Sequence, residues 1–196
     1  MLPLTVFAVL AIQIDRRRPP ALDERIIDFV ARHQNSHVSR LVDFLLAAGG
    51  EPHALVPLVF LLAAILLLYV ARRSGDAFFL AAAVGGALIF APLLKLGFER
   101  PPLEGDTSTR YFPSGHATGS FGVIAALVLI CWPTRLRWAV LGVGLFFVPL
   151  YGAALVYSLG HYPSDVVAGW SIGLAWVTAL YAMRVAHLSS ARARRG

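Results

Sequence analysis

Five apolar stretches, each close to the length of about twenty residues that carries a helix across a bilayer core, leave this chain little choice of architecture. They run over 53–71, 77–97, 115–132, 136–160 and 165–188. The connections are brief and charged: Arg72-Arg73-Ser74-Gly75-Asp76, then Glu99 to Arg110, then Pro133-Thr134-Arg135. Spans joined so closely alternate in direction and form antiparallel hairpins. Composition agrees, with 58% apolar and 14% charged residues and a mean hydropathy of +0.69. A soluble domain is about 45–50% apolar and about 25% charged. These figures argue against a water-soluble enzyme, a nucleic-acid binder or a disordered chain. The single cysteine, Cys131, excludes an internal disulfide and a cysteine-rich metal site.

The N-terminal part differs. Leu2–Ile14 is apolar but only 13 residues long, or about 20 Å as a helix. Its basic residues, Arg16 to Arg18, come after the apolar run, whereas a signal peptide carries them before. The expectation is a shortened first span whose start lies upstream. Over 19–50, Leu22, Ile26, Ile27, Phe29 and Val30 alternate with Asp23, Glu24, Arg25, Asp28 and Arg32. That pattern predicts an amphipathic helix on the membrane surface, then a second short helix over 38–48 that stops at Gly49-Gly50. The expected fold is thus an all-α polytopic membrane bundle of about six spans in a single domain, 1–196. Its interfacial segment is 19–50, its motif-bearing core 77–169, and its basic tail 189–196.

The net charge of +6 sorts by side. With a cytoplasmic N-terminus, the inner connections and tail hold Arg72, Arg73, Arg135, Arg137, Arg184, Arg192, Arg194 and Arg195 against one acid, Asp76. The stretches from Asp15 to Glu51 and from Lys95 to Arg110 each balance to neutrality. Positive charge in short loops marks the cytoplasmic side. The surplus therefore records topology and calls for no nucleic-acid partner.

Counting spans brings several polar residues to the outer face. Lys95 ends the second clear span and Arg100 follows it; His116 opens the next, and His161 and Asp165 open the last. Taken singly, each has an ordinary reading as an interfacial histidine, a snorkelling lysine or a helix cap. His33, His37, His53 and His187 fall in that ordinary class. Together the group suits phosphoryl transfer. Lys95 and Arg100 match a phosphate in charge, and Pro113-Ser114-Gly115 before a helix start offers backbone amides to an anion. His161 and Asp165, four residues apart, share a helical face, so the carboxylate can hold one ring nitrogen while the other attacks phosphorus. His116 is left to protonate the leaving oxygen, and the two histidines' opposite protonation needs predict a bell-shaped pH profile. No further carboxylate or histidine completes four ligands, so neither a metal nor another cofactor is expected.

These residues resemble the type-2 phosphatidic acid phosphatase superfamily of integral membrane lipid phosphatases. Its signatures are Lys-x6-Arg-Pro, Pro-Ser-Gly-His and Ser-Arg-x5-His-x3-Asp. Pro113-Ser114-Gly115-His116 matches the second completely, and His161 to Asp165 matches the end of the third. The resemblance implies His161 as nucleophile, Asp165 as its support, His116 as general acid, and Lys95, Ser114 and Gly115 as phosphate-binding positions. It implies no metal, and as substrates phosphatidic acid, phosphatidylglycerol phosphate or isoprenoid phosphates. Two positions depart from the pattern. Pro102 stands seven after Lys95, with Arg100 five after it, and Ala154-Leu155 replaces the Ser-Arg of the third motif. Losing a charge-assisted arginine contact costs about 1.5–3 kcal/mol. Arg110 is a candidate substitute.

The expectation is therefore a lipid phosphate or diphosphate hydrolase at the outer face of a bacterial cytoplasmic membrane, with membrane lipids as its surroundings. The alternatives are a lipid phosphotransferase on the same site, or a catalytically impaired phospholipid-binding protein.

Overall fold

The computed structural model describes residues 2–14, 19–49, 55–100, 103 and 111–194. Among them, eight helices follow in order: α1 Leu2–Ile14, α2 Ala21–Arg32, α3 Ser36–Gly49, α4 Leu55–Val70, α5 Ser74–Lys95, α6 Gly115–Cys131, α7 Leu136–Tyr157 and α8 Pro163–Ala193. Three of these, α5, α7 and α8, are long and apolar enough to cross a membrane; α1, most of α4 and α6 are shorter apolar helices. The five apolar stretches and the shortened first one thus each became a helix. The stretch expected to hold two short helices became the α2–α3 pair.

The polarity of the bundle is that of a protein in lipid. Phe60, Leu67, Phe78, Leu88, Leu145 and Phe146 lie exposed on the outside, while small residues such as Ala83, Ala117 and Ala126 are buried. Apolar tails outside give helices no hydrophobic reason to associate, so close backbone approach and polar contacts must supply it. Helix α6 sits centrally against α5, α7 and α8, most extensively against α8. The reason is a pair of glycines one turn apart on α8. A Cβ at Gly169 would stand 2.6 Å from the carbonyl oxygen of Ser114, and one at Gly173 would stand 2.7 Å from that of Thr118. No other residue allows this crossing at its present depth.

Each end of the bundle carries a charged cluster. At one end Asp76 accepts from Arg73 at 2.7 Å and from Arg184 at 2.6 Å, while Arg73 also donates to the Ile130 carbonyl at 3.2 Å. That cluster ties together α5, α6 and α8. The opposite end gathers the C-termini of α5 and α7 and the N-termini of α6 and α8, as alternating directions require.

Most boundaries shift from the sequence reading by one to three residues, and two of the differences have a clear cause. Helix α7 stops at Tyr157, short of residue 160, because Leu159 adopts a left-handed φ of 58° and turns the chain back, with the His161 amide donating to the Leu155 carbonyl at 3.2 Å. Helix α8 runs past 188 to Ala193, into the segment read as a tail, where Ala191 and Ala193 are strong helix formers.

The α2–α3 pair keeps Leu22, Phe29, Leu41 and Phe44 exposed, as a helix pair seated in an interface would. It is pinned to the end of α7: the Gln34 side chain donates to the Tyr157 carbonyl at 2.9 Å, and the Asn35 amide donates to the Tyr157 hydroxyl at 2.8 Å. One residue contradicts a simple surface helix. Asp23 turns inward and is only 2% exposed.

Candidate active site

The chain reaches the start of α6 through Phe112, which is fully buried between Phe7 of α1 and Phe98. Phe7 stacks on it with ring centroids 5.5 Å apart, and Phe98 meets it edge-on at 5.0 Å. The Phe112–Pro113 peptide bond is cis. This aromatic knot fixes both the segment that carries Arg100 and the turn that leads to Ser114.

Ser114 is the N-cap of α6. Its Oγ accepts from the Ala117 amide at 3.3 Å, and its carbonyl accepts from the Thr118 hydroxyl at 2.8 Å. Gly115 and His116 follow as the first two residues of the helix, both half-buried. The positive end of the helix dipole lies there and favours an anion.

Helix α8 brings the second half. The Ser114 amide donates to the Asp165 carbonyl at 3.0 Å, so the two motifs touch through their backbones. Asp165 is fully buried. Its Oδ2 accepts from the Tyr162 amide at 2.9 Å and lies 3.6 Å from His161 Nδ1, longer than a hydrogen bond but on the expected shared face. Oδ1 takes the guanidinium of Arg100 in a close contact. The His161 ring stands edge-on to Tyr111, with centroids 6.2 Å apart. Tyr111 in turn accepts a hydrogen bond from the Leu103 amide at 3.3 Å. The Arg100 guanidinium also lies over the Tyr162 ring, 4.1 Å from its centroid. Burial pushes the Tyr162 phenol above its ordinary value, against the lowering pull of Arg100, so it stays protonated at neutral pH.

Of the predicted residues, the structure brings Ser114, Gly115 and His116 on α6 together with His161 and Asp165 around the start of α8. Lys95 is the last residue of α5, half-buried at the same end of the bundle. Arg100 is brought in too, but not as a phosphate ligand would stand. It is 3% exposed, with Nη1 on Ser164 Oγ at 2.9 Å and on Asp165, and Nη2 on Asp23 at 2.7 Å. Both terminal nitrogens face carboxylates. Arg110 and Pro102 lie outside the described residues.

Leu155, at the place of the motif arginine, is buried with Ala154 in a cluster that includes Tyr151, Val166 and Ala117. That position serves packing and brings no charge to the site. Among the described residues, no three of His, Cys, Asp and Glu converge to hold a metal ion.

The residues that sequence reasoning missed are Asp23, Ser164, Tyr111 and Tyr162. Asp23 accepts from the Ser164 amide at 3.0 Å and from its hydroxyl in a close contact. Its only sequence signal is an acid in the first turn of a helix, which most helices can show.

Comparison with known proteins fits this arrangement. The model of the PAP2 superfamily matches residues 4–188. A lipid A 1-phosphatase of Rhizobium johnstonii is 36% identical over 86 residues, 44% of this chain and 32% of that protein. The match thus spans about a third of that relative's length. A transmembrane PAP2-type phosphatidylglycerolphosphate phosphatase from Bacillus subtilis has a similar fold, with a TM-score of 0.74, 21% identity, and coverage of 93% of this chain and 95% of that one. LpxE of Aquifex aeolicus is similar at a TM-score of 0.65, 18% identity, and coverage of 83% and 96%.

Proposed function

This chain belongs to the PAP2 superfamily, and we propose that it is a membrane lipid phosphatase working through a phosphohistidine. The observation that carries the reading is the backbone bond from Ser114 to Asp165, which supports a site shared by the His116 and His161 motifs. His161 Nε2 attacks the phosphorus of a lipid phosphate, and the bond from phosphorus to the ester oxygen breaks. Asp165 steadies the ring from the Nδ1 side. His116 gives its proton to the departing oxygen, then takes one from a water that attacks the phosphohistidine and releases inorganic phosphate. Lys95, the Ser114 hydroxyl and the amide of Gly115 neutralise the phosphoryl oxygens. Arg100 holds Asp165 instead of touching phosphate.

Substrate class follows from location. The site lies where spans meet the membrane surface, and the arginine-rich loops at the far end favour an outer-face site in a bacterial cytoplasmic membrane. Phosphatidic acid, phosphatidylglycerol phosphate and isoprenoid phosphates all present a phosphate at that depth. The test is phosphate release from a panel of these lipids by purified protein in detergent, without added metal. Turnover that disappears in His161→Ala supports the reading. No turnover with any lipid, or full activity in His161→Ala, overturns it. Transfer to an added alcohol in place of release would mark the phosphotransferase alternative.

A further inference from the structure

Arg100 is shared between two carboxylates from different helices, and the reading above uses only one of them. The other, Asp23, belongs to the interfacial helix α2, and it is as buried as the active-site carboxylate it faces. Its Oδ2 takes Arg100 Nη2 at 2.7 Å, while Oδ1 accepts the Ser164 amide at 3.0 Å. Ser164 is the second residue of α8, so a carboxylate from α2 caps the helix that carries Asp165. Ser164 Oγ closes the ring, accepting from Arg100 Nη1 at 2.9 Å and donating to Asp23.

A buried cluster of two carboxylates and one guanidinium carries an excess negative charge that has to be met by fixed dipoles. The amides of Tyr162 and Ser164 and the positive end of α8 meet it. We infer that Asp23 is a positioning residue for catalysis: by drawing half of the Arg100 fork, it holds Arg100 against Asp165 without letting the guanidinium neutralise that carboxylate alone. Asp165 then keeps its strength as an acceptor for His161 Nδ1. Without Asp23 the guanidinium falls wholly to Asp165, and the helix start loses its cap. The interfacial helix is in this way part of the catalytic support. The inference rests on the phosphohistidine reading given above.

The experiment is a double-mutant cycle on Asp23→Asn and Arg100→Gln, reading kcat and KM for a lipid phosphate together with thermal unfolding in detergent. Asn at 23 is expected to lower kcat by about tenfold or more with KM unchanged, because Asp23 touches no substrate. In the Arg100→Gln background the same change is expected to cost little further, since the Asn side-chain oxygen can still cap the Ser164 amide and only the charge of Asp23, which acts through Arg100, is lost. Ser164→Ala serves should Asp23→Asn fail to fold; it is expected to lower kcat in the same direction at constant KM. Wild-type kcat in Asp23→Asn or in Ser164→Ala overturns the inference, as does a loss confined to KM or an equal loss in both backgrounds. A wild-type protein that turns over no lipid defeats the function reading instead. The clamp is then judged on unfolding alone, where additive effects of the two substitutions overturn it and coupling upholds it.

Discussion

The amide of Ser114 donates to the carbonyl of Asp165 at 3.0 Å, joining the start of α6 to the first turn of α8 although α6 and α7 separate the two residues in the chain. This contact depends on how deeply α8 sits against α6, and that depth is set by Gly169 and Gly173.

Gly169→Ala tests the dependence directly. Its new Cβ would meet the Ser114 oxygen at 2.6 Å and the Ala117 side chain at 2.9 Å, and backbone cannot step aside cheaply. Thermal unfolding should show a loss of about 1–3 kcal/mol. Gly173→Ala meets the Thr118 oxygen at 2.7 Å, a similar clash one turn further from His161. Stability should therefore fall in both variants, and kcat much further in Gly169→Ala.

The two histidines should part company when the leaving group is changed. His116→Ala is expected to lose about 10²–10⁴-fold on a lipid phosphate, where the alkoxide needs a proton. On an aryl phosphate, whose phenolate leaves unaided, the loss should be far smaller. His161→Ala should be inactive on both. The wild-type profile of kcat/KM against pH should be bell-shaped, with His161 neutral and His116 protonated in the active form. His116→Ala should lose the alkaline limb and keep the acid one.

Asp76 is the corresponding test of the far end. It holds Arg73 and Arg184, both partly exposed and so partly screened. Asp76→Asn leaves two cations facing each other and should cost about 1–2 kcal/mol in unfolding. Because the cluster lies at the other end of the bundle from His161, kcat should stay within about twofold of wild type.

Tyr162 predicts an alkaline sensitivity. A phenol whose folded-state value is raised contributes stability that is complete below the ordinary value, near 10, and is lost as pH rises above it, because the unfolded chain ionises first. Unfolding followed from about pH 9 to about pH 11 should fall less steeply for Tyr162→Phe than for wild type. Equal slopes would remove the phenol from the balance.

The spans were legible because a bilayer imposes a length and a composition on whatever crosses it, and α5, α7 and α8 satisfy both, while α4 and α6 share the composition at shorter length. Pro113-Ser114-Gly115-His116 and His161 to Asp165 were legible because a cap, a helix start and an i,i+4 pair are local, short-range arrangements. The first motif was harder. Arg100 does precede a proline, Pro101, but with a spacer two residues shorter than the pattern, and nothing in that local run says where its side chain goes.

Sequence by itself determined the helices, their alternating directions and the end of the bundle at which the polar residues meet, since all of these follow from periodicity, length and parity. Only the tertiary structure decided which charges are partners. Asp23 reads as one more acid on an amphipathic surface helix, yet folding swings it against Arg100 and the first turn of α8, where its partner Ser164 is 141 positions further along the chain. The same packing leaves Leu155, which stands where the third motif has an arginine, in the apolar core. Contacts of this kind depend on the depth and rotation of one helix against another, a depth that glycines such as Gly169 permit and that no periodicity in the chain encodes.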